Sequence, residues 1–330
     1  MIASQRTRWT RRSLLTTGLS CVGVASIATY FARAKPALAA EEVVLEEARS
    51  AYNHIVVTER GTTRTMYFVV DGTYYIESRV DLSHELSLDL DYTRTMMAGF
   101  VVQPTTQRLL MIGFGGGQIT NYLYRRFPQL EIDAIDIDPE VIRLARRYFG
   151  VPDSPRYRTY AADGRLFVEQ ASAQTQWDMI MLDAFRGVFV PLHLKTLEYY
   201  EVLKAHLSAD GVVVANLHNA TPMYPNDRVT FAEVFSYNYA FAAEHSRQTV
   251  LVASAATQPI GVYELRAHAR ALAPHFDFDL SGLAARWYLH RDFDPSAKIL
   301  HDDFAATDSE SGAQRHNRRC DGSDCPYRMQ

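Results

Sequence analysis

The chain has 330 residues and 47% of them are hydrophobic, which is enough to bury a sizeable core in one large domain or in a small domain beside a larger one. The formal net charge is −4, but residues 1–39 contain six basic residues and no acidic one, so the rest of the chain carries 28 basic against 38 acidic residues. Such an acidic body argues against a nucleic-acid partner, because phosphates need a positive surface, and it suits a cationic ligand.

Residues 1–39 have the features of a twin-arginine signal peptide. Arg11 and Arg12 begin the pattern, the mildly apolar run 14–32 follows it, and residues 37–39 form a small-residue cleavage site. We therefore expect export by the twin-arginine route to the periplasm or the extracellular space, with no membrane span after cleavage. The alternative is a membrane anchor through an uncleaved leader, since the apolar run could just span a bilayer.

The segment after the leader predicts a short helix over Glu41–Ala51, followed by strands. Asp71-Gly72 is a hairpin turn signal between two of these strands. The three predicted strands are Ile55–Thr58, Thr65–Val70 and Tyr74–Ser78. We assign residues 40–100 to a small N-terminal antiparallel β-unit, which is too small to be stable alone.

From Arg108 onward, short apolar runs alternate with amphipathic helices. The clearest helix has Asp138 as its N-cap, Pro139 at its first position and Gly150 at its end. The predicted strands are Leu109–Ile112, Ile132–Ile135, Tyr157–Ala161, Met179–Leu182, Val212–Asn216 and Val250–Ala253. The alternation predicts an α/β fold for residues 101–305, with a doubly wound, mostly parallel sheet and ligands at the carboxyl ends of its strands.

Residues 306–330 have the composition of a disordered tail. The tail contains Cys320 and Cys325, which could close a small disulfide loop in an oxidising compartment. No cluster of Cys and His in the sequence indicates a metal site, so we expect no metal.

A glycine-rich loop follows the first strand of the predicted sheet. Gly113, Gly115 and Gly117 lie in this loop, and Gln118 precedes the helix predicted over Ile119–Phe127. Glycines at such a turn let the backbone pass close to a bound nucleoside. The spacing is G-x-G-x-G and not the G-x-G-x-x-G of dinucleotide sites, so it favours a nucleoside without pyrophosphate, such as an S-adenosyl sulfonium.

Three aspartates end later strands of the same sheet. Asp136 lies where a carboxylate can accept hydrogen bonds from both ribose hydroxyls, and Asp163 could reach an adenine edge. Asp183 ends the fourth strand. Each aspartate alone could equally be a helix cap or a turn residue. Together with the loop they predict a nucleoside site, because the carboxyl ends of parallel strands meet at one edge.

The chain from about residue 52 to residue 303 resembles the spermidine synthase (polyamine aminopropyltransferase) family, most closely its branch that is fused to membrane transporters. The motifs occur in the family's order. Tyr52-Asn53-x-Ile55 stands where the family has Tyr-Gln-x-Ile, and Gly113–Gln118 stands where it has Gly-Gly-Gly-Asp-Gly. Asp136-Ile137-Asp138 stands at the family's Glu-Ile-Asp, and Asp163-Gly164 at its Asp-Gly. Asp183 stands at the first aspartate of its Asp-Ser-x-Asp-Pro.

This resemblance implies a Rossmann-like fold of the S-adenosylmethionine-dependent methyltransferase type. It also implies transfer of an aminopropyl group from decarboxylated S-adenosylmethionine, or a related S-adenosylmethionine ligand, to a small-molecule amine. Asp183 is then the base that takes the amine's proton, with Tyr92 as its partner. The implied nucleoside contacts are Asn53, Gly113, Gly115, Gly117, Gln118, Asp136, Ile137, Asp163 and Gly164. A homodimer is expected by the same resemblance.

The sequence departs from the family where the amine would bind. Gln118 replaces the loop aspartate, Arg186 stands at the second aspartate of the catalytic motif, and Thr93-Arg94 replaces the His-Glu that follows Tyr92. These positions are neutral or reversed in charge, and a cation near a diamine lowers its affinity. Arg186 would suit a substrate that bears a carboxylate; the alternative is that it is a solvated loop residue.

Two other functions stay open. One is an S-adenosylmethionine-dependent methyltransferase, although Met111 stands where the loops of such enzymes usually carry an acid. The other is a non-catalytic exported protein that binds a nucleoside or a polyamine. The signal peptide favours this non-catalytic function, because export would separate the protein from adenosyl donors, which are cytoplasmic.

Overall fold

The computed structural model describes residues 42–185, 190–256, 258–288 and 294–303. The signal peptide, Arg186 and the C-terminal tail with both of its cysteines lie outside these residues. The predictions made for them, and the domain boundaries, therefore stay predictions.

The N-terminal sheet has four antiparallel strands in chain order. They are β1 (Val43–Arg49), β2 (His54–Arg60), β3 (Thr63–Val70) and β4 (Thr73–Asp81). The three strands predicted within His54–Asp81 are confirmed. Asp71 and Gly72 form the predicted turn between β3 and β4, with positive φ angles of 50° and 77°.

The helix predicted over Glu41–Ala51 is wrong, because Val43–Arg49 forms strand β1. Glu47 pairs with Val56 of β2, and this pairing continues along both strands. A helix of this length is marginal unless one face is buried, whereas the free edge of β2 offers unpaired backbone groups to a strand.

Strand β4 contains a β-bulge. Tyr67 of β3 pairs with Ile76 and Met66 pairs with Ser78, which leaves Glu77 without a partner in the ladder. The buried positions change from odd to even numbers across the bulge, from Tyr75 before it to Ser78 after it. The bulge therefore resets which side chains of β4 face the rest of the protein.

The second sheet has eight strands in the order β12-β10-β11-β9-β8-β5-β6-β7. Strands β9, β8, β5, β6 and β7 are parallel, and β11, β10 and β12 extend the sheet with antiparallel pairs. Their bounds are β5 Arg108–Ile112, β6 Glu131–Asp136, β7 Tyr157–Ala161, β8 Trp177–Leu182, β9 Leu207–His218, β10 Asn238–Ala242, β11 Gln248–Ser254 and β12 Trp287–Tyr288. The predicted α/β class with a mostly parallel sheet is confirmed.

Helices cover both faces of this sheet. On the central strand β5, Leu109 and Met111 pack into one hydrophobic cluster, and Leu110 and Ile112 pack into a second cluster on the other face. The helices are α1 Asp91–Met96, α2 Ala98–Val102, α3 Gln118–Arg126, α4 Pro139–Tyr148, α5 Gly164–Glu169, α6 Leu197–Ala205, α7 Tyr224–Val234, α8 Val262–Leu272 and α9 Leu280–Ala285. Within the described ranges, none of them is long and apolar enough to cross a bilayer.

Helix α4 confirms the clearest helix prediction. The Asp138 carboxylate accepts a hydrogen bond from the Glu140 amide at 3.0 Å, Pro139 is the first helical residue, and Gly150 follows the helix with φ of 68°. Val141 and other apolar residues of α4 pack against the β1–β4 sheet in a third hydrophobic cluster. This contact brings the antiparallel sheet next to the carboxyl end of β6.

Candidate active site

The order of the parallel strands reverses between β5 and β8. Chain connections run from β5 outward through β6 and β7, and then return to β8 and β9 on the other side of β5. Ligands of doubly wound sheets bind at such a reversal, outside the carboxyl ends of the strands. Here β5 leads into the glycine-rich loop and β8 leads into Asp183, and both lie at the same point of the sheet edge.

Gly113 allows the two strand ends to meet. The Asp183 amide donates a hydrogen bond to the Ile112 carbonyl at 2.8 Å. A Cβ atom on Gly113 would lie 2.4 Å from the Asp183 carbonyl oxygen, and its φ of 89° disfavours any other residue. The loop of the predicted nucleoside site is thus in contact with the predicted base.

Asp136 holds the glycine loop from the neighbouring strand. Its carboxylate accepts hydrogen bonds from the amides of Phe114 at 3.2 Å, Gly115 at 3.3 Å and Asp138 at 3.0 Å. Burial raises the pKa of Asp136 to about 6, although these three N–H groups favour its ionised form. The structure therefore brings together the loop and the carboxylate predicted for the ribose.

Asn53 lies at the start of helix α4. Its side-chain amide donates to the Asp138 carboxylate at 2.9 Å, and the Ser50 hydroxyl donates to the same oxygen at 2.6 Å. Ile137 is 40% exposed between Asp136 and Asp138. The antiparallel sheet thus contributes Asn53 to the same edge as the predicted nucleoside residues of the parallel sheet.

Asp163 is engaged within the protein. One carboxylate oxygen caps helix α5 by accepting from the amides of Arg165 at 2.9 Å and Leu166 at 3.0 Å. The other oxygen is 2.9 Å from His193 Nε2, and this hydrogen bond lowers the pKa of Asp163. Gly164 packs so tightly on Ile112 that a Cβ would come within 2.4 Å of its side chain. The helix-cap alternative for Asp163 is thus present, and its adenine contact stays a prediction.

Asp183 is held by two polar side chains. The Asn216 side-chain amide donates a hydrogen bond to the Asp183 carboxylate at 2.8 Å, and the buried Tyr92 also hydrogen-bonds to it. Burial nevertheless raises the pKa of Asp183 to about 7. The structure brings the predicted catalytic pair, Asp183 and Tyr92, into direct contact. Asn216, which sequence reasoning missed, lies on β9, the strand next to β8.

A second missed residue is Glu77, at the bulge of β4. Glu77, Tyr92, Gln118 and Asp183 line a pocket of about 20 Å³, which we call the carboxylate pocket. Burial and the charges of Asp183 and Asp136 raise the pKa of Glu77 well above its ordinary value. The bulge is the feature that gives Glu77 this position, and no sequence pattern indicates it.

Gln118 is buried at the edge of this pocket. Its side-chain amide donates to the Ser87 carbonyl at 3.1 Å, while its Oε1 atom has no hydrogen-bond partner among the described residues. Thr93 also lines the pocket, whereas the Arg94 guanidinium binds the Leu88 carbonyl at 2.8 Å. Arg94 therefore does not place its positive charge among the residues that line the carboxylate pocket.

Among the described residues, no group of three His, Cys, Asp or Glu side chains could hold a metal ion. The site combines a glycine-rich loop with the carboxylates of Asp136 and Asp183. The protein is thus a Rossmann-like α/β protein with a candidate ligand site at its topological switch point.

Comparison with known proteins identifies the family. The sequence profile of the spermine/spermidine synthase domain matches residues 91–263. The polyamine aminopropyltransferase of Vibrio vulnificus (strain CMCP6) is 30% identical over 271 residues, which cover 80% of this chain and 90% of that protein. The chain belongs to the spermidine synthase family.

Solved structures share the fold. A probable spermidine synthase from Corynebacterium glutamicum superposes with a TM-score of 0.60 at 20% identity, over 78% of this chain and 96% of that chain. A spermidine synthase in complex with the transition-state analogue AdoDATO superposes with a TM-score of 0.53 at 17% identity, over 83% and 86% of the two chains. Human methyltransferase-like protein 13 in complex with SAH gives a TM-score of 0.52 at 23% identity, over 56% of this chain and 91% of that one. The Rossmann-like fold of the methyltransferase type is thereby confirmed.

Proposed function

We propose that the protein transfers an aminopropyl group from decarboxylated S-adenosylmethionine to a small-molecule amine, with Asp183 as the general base. The observation that carries this proposal is the position of Asp183. It is a partly buried carboxylate at the switch point, in contact with the glycine loop and hydrogen-bonded to Tyr92 and Asn216.

The residues at the sheet edge suit an adenosyl donor. The loop 113–117 lets the donor approach the backbone, and Asp136 keeps acceptor capacity for ribose hydroxyls on a carboxylate already oriented by three amides. Asn53 binds the nearby Asp138 carboxylate, Ile137 lies between the two aspartates, and Gly164 keeps helix α5 close to β5. These contacts would orient the nucleoside, with its sulfonium group toward Asp183.

Asp183 performs the proton transfer. The acceptor amine arrives as an ammonium ion, and the ionised Asp183 carboxylate removes one proton to free the nitrogen lone pair. The donor supplies the electrophile: the lone pair forms a C–N bond to the methylene carbon beside the sulfonium, the C–S bond breaks, and its electron pair leaves on the sulfur of methylthioadenosine. A pKa of about 7 suits this base, because it is ionised in a large fraction of molecules near neutral pH and still binds a proton.

The test is to incubate the full chain with the decarboxylated donor and a panel of diamines and to measure the release of methylthioadenosine. We expect Asp183→Asn to abolish release while methylthioadenosine binding, followed by calorimetry, stays within about threefold of wild type. Asp210→Asn is the matched control, since Asp210 is exposed near the opposite end of the sheet. No release with any diamine would contradict the proposal.

The same assay separates the two alternative functions. A methyltransferase would convert S-adenosylmethionine to S-adenosylhomocysteine and would release no methylthioadenosine. A non-catalytic binding protein would give a calorimetric signal with the nucleosides and neither product. The methyltransferase alternative is supported by the shared fold.

We propose in addition that residues 1–39 direct export by the twin-arginine route and that the protein is a homodimer. The paired Arg11 and Arg12 support export, and family resemblance supports the dimer. Replacing both arginines with lysine should retain the chain in the cytoplasm, and unchanged export would contradict the signal-peptide prediction. Light scattering of the purified protein measures its oligomeric state.

A further inference from the structure

The carboxylate pocket contains three side-chain acceptors whose hydrogen-bonding capacity is not filled by donors of the described residues. Asp183 and Glu77 contribute carboxylates, and Gln118 contributes Oε1, an acceptor without a partner on a side chain that is only 8% exposed. A buried acceptor without a donor costs free energy, so such a group in a native fold calls for a water or a ligand that brings N–H or O–H groups. The ligand of this pocket must therefore supply donors.

The charge of the pocket specifies the kind of donor. Of the described residues that line it, none is Lys, Arg or His. Two carboxylates at one site cannot both ionise cheaply unless a cation or a proton lies between them. A primary ammonium group offers one positive charge and three N–H donors, which matches two carboxylates and one amide oxygen.

The size of the pocket fits the same group. A volume of about 20 Å³ holds roughly one water-sized group. An ammonium head is of that size, whereas a nucleoside or a whole diamine is much larger. The pocket can thus take the end of an alkylamine chain and leave the rest of the molecule at the open sheet edge.

Among the described residues, no hydrogen bond or ion pair of the Glu77 side chain accounts for its position. It is the extra residue of the bulge in β4, and the backbone beside it lies against the glycine loop, where a Cβ on Gly115 would be 3.5 Å from the Glu77 carbonyl oxygen. Bulges next to active sites re-aim a side chain at the cost of a ladder hydrogen bond. The bulge therefore interrupts the pairing of β3 with β4 at one residue and places Glu77 next to Asp183.

We propose that Glu77, together with Gln118, binds the primary ammonium group of a substrate next to Asp183. This inference rests on the proposed function and names a residue that sets its specificity for cationic substrates. The ammonium group belongs either to the aminopropyl arm of the donor or to the far end of the acceptor amine. Both sources present the same chemistry to Glu77.

Binding should then exchange a proton for the ammonium ion. The groups that face Glu77 are Asp183 and Asp136, both carboxylates, and Tyr92, which is hydrogen-bonded to Asp183. Because these described neighbours are acids and burial raises the pKa of Asp183 to about 7, the ligand-free pocket holds a proton below about pH 7, and an arriving cation displaces it. The affinity for ammonium ligands should accordingly rise with pH between about pH 6 and pH 8.

The test compares Glu77→Gln with wild type and with Glu233→Gln, an exposed glutamate on α7. Decarboxylated S-adenosylmethionine, methylthioadenosine and putrescine are titrated separately by calorimetry at pH 8. We expect Glu77→Gln to weaken the binding of at least one ammonium ligand tenfold or more. Methylthioadenosine, which has no ammonium group, should bind the variant and wild type within twofold. Loss for the decarboxylated donor assigns the aminopropyl arm, and loss for putrescine assigns the acceptor.

Proton release is the second measurement. Titrations of wild type at pH 7 in two buffers of different ionisation enthalpy should show proton release on binding an ammonium ligand, and Glu77→Gln should reduce it. If wild type binds putrescine in a Glu77-dependent way but binds no nucleoside, the proposed function fails and this inference stands. If Glu77→Gln binds every ammonium ligand as wild type does, or if wild type binds none, the inference is overturned.

Discussion

Replacing Asp183 with Asn should stabilise the free protein at pH 8. Burial raises the pKa of this carboxyl from 3.8 to about 7 in the folded state, so the fold tolerates neutral Asp183 and disfavours the ionised form. An asparagine keeps one side-chain oxygen that can accept from Asn216, and it carries no charge. The variant therefore removes the ionisation cost and keeps the hydrogen bond from Asn216.

The magnitude follows from the interval between the two pKa values. Each factor of ten in the ionisation constant is worth about 1.4 kcal/mol, so the full interval corresponds to about 4 kcal/mol. Because Asp183 is only partly buried, solvent screening reduces the expected effect to about 2 to 4 kcal/mol. The folded state holds its proton where the unfolded state has lost it, so wild-type stability falls as the pH rises from about 4 through 7.

The assay is urea unfolding of the full chain at several pH values between 4.5 and 8.5, without ligand. The free-energy difference between Asp183→Asn and wild type should be small at the acidic end, grow up to about pH 7 and then level off. Asp210→Asn, at an exposed site, should show no such growth. A difference for Asp183→Asn that is the same at every pH would refute a raised pKa and with it the assignment of Asp183 as a base tuned by burial.

Four further outcomes are expected. Asp136→Asn should weaken methylthioadenosine binding at least tenfold in calorimetry, because a ribose acceptor loses its charge; unchanged affinity would remove Asp136 from the nucleoside site. Gly113→Ala should lower the free energy of unfolding by more than about 2 kcal/mol, since its Cβ would collide with the Asp183 backbone at a positive φ, and a neutral effect would contradict that contact. Asp138→Ala should cost about 1 to 2 kcal/mol through the lost cap of α4, measured by urea unfolding. The transfer rate kcat/KM should rise with pH through about 7 as Asp183 ionises, and a profile flat from pH 5 to 8 would exclude it as the base.

The structure changes the charge that the sequence predicts around the substrate amine. From the sequence, Gln118 and Arg94 indicate a loss of negative charge near the amine. The structure takes Arg94 away from the carboxylate pocket, where its guanidinium binds a main-chain carbonyl, and adds Glu77 from the antiparallel sheet. A carboxylate from another element thus lies beside the position at which the loop lacks one.

Features encoded by neighbouring residues were predictable. Asp138 and Pro139 start helix α4 and Gly150 follows its end, so the bounds of this helix follow from residues at its own termini. Strand β1 is the counterexample, because its residues accept a helix or a strand and the free edge of β2 decides between them. The helix preference of a short segment is overridden where a neighbouring strand offers a row of backbone hydrogen bonds.

The sequence by itself determined the parallel α/β class, the glycine loop and the aspartates at the strand ends. These follow because strand periodicity and chain order place all carboxyl ends of parallel strands at one edge. Only the tertiary structure decided that Asn216 and Tyr92 hold Asp183 and that Glu77 joins them. The order of strands in the sheet decides which side chains become neighbours across strands, and a single bulge changes the face on which a side chain lies. Neither property can be recognised from the spacing of residues along the chain.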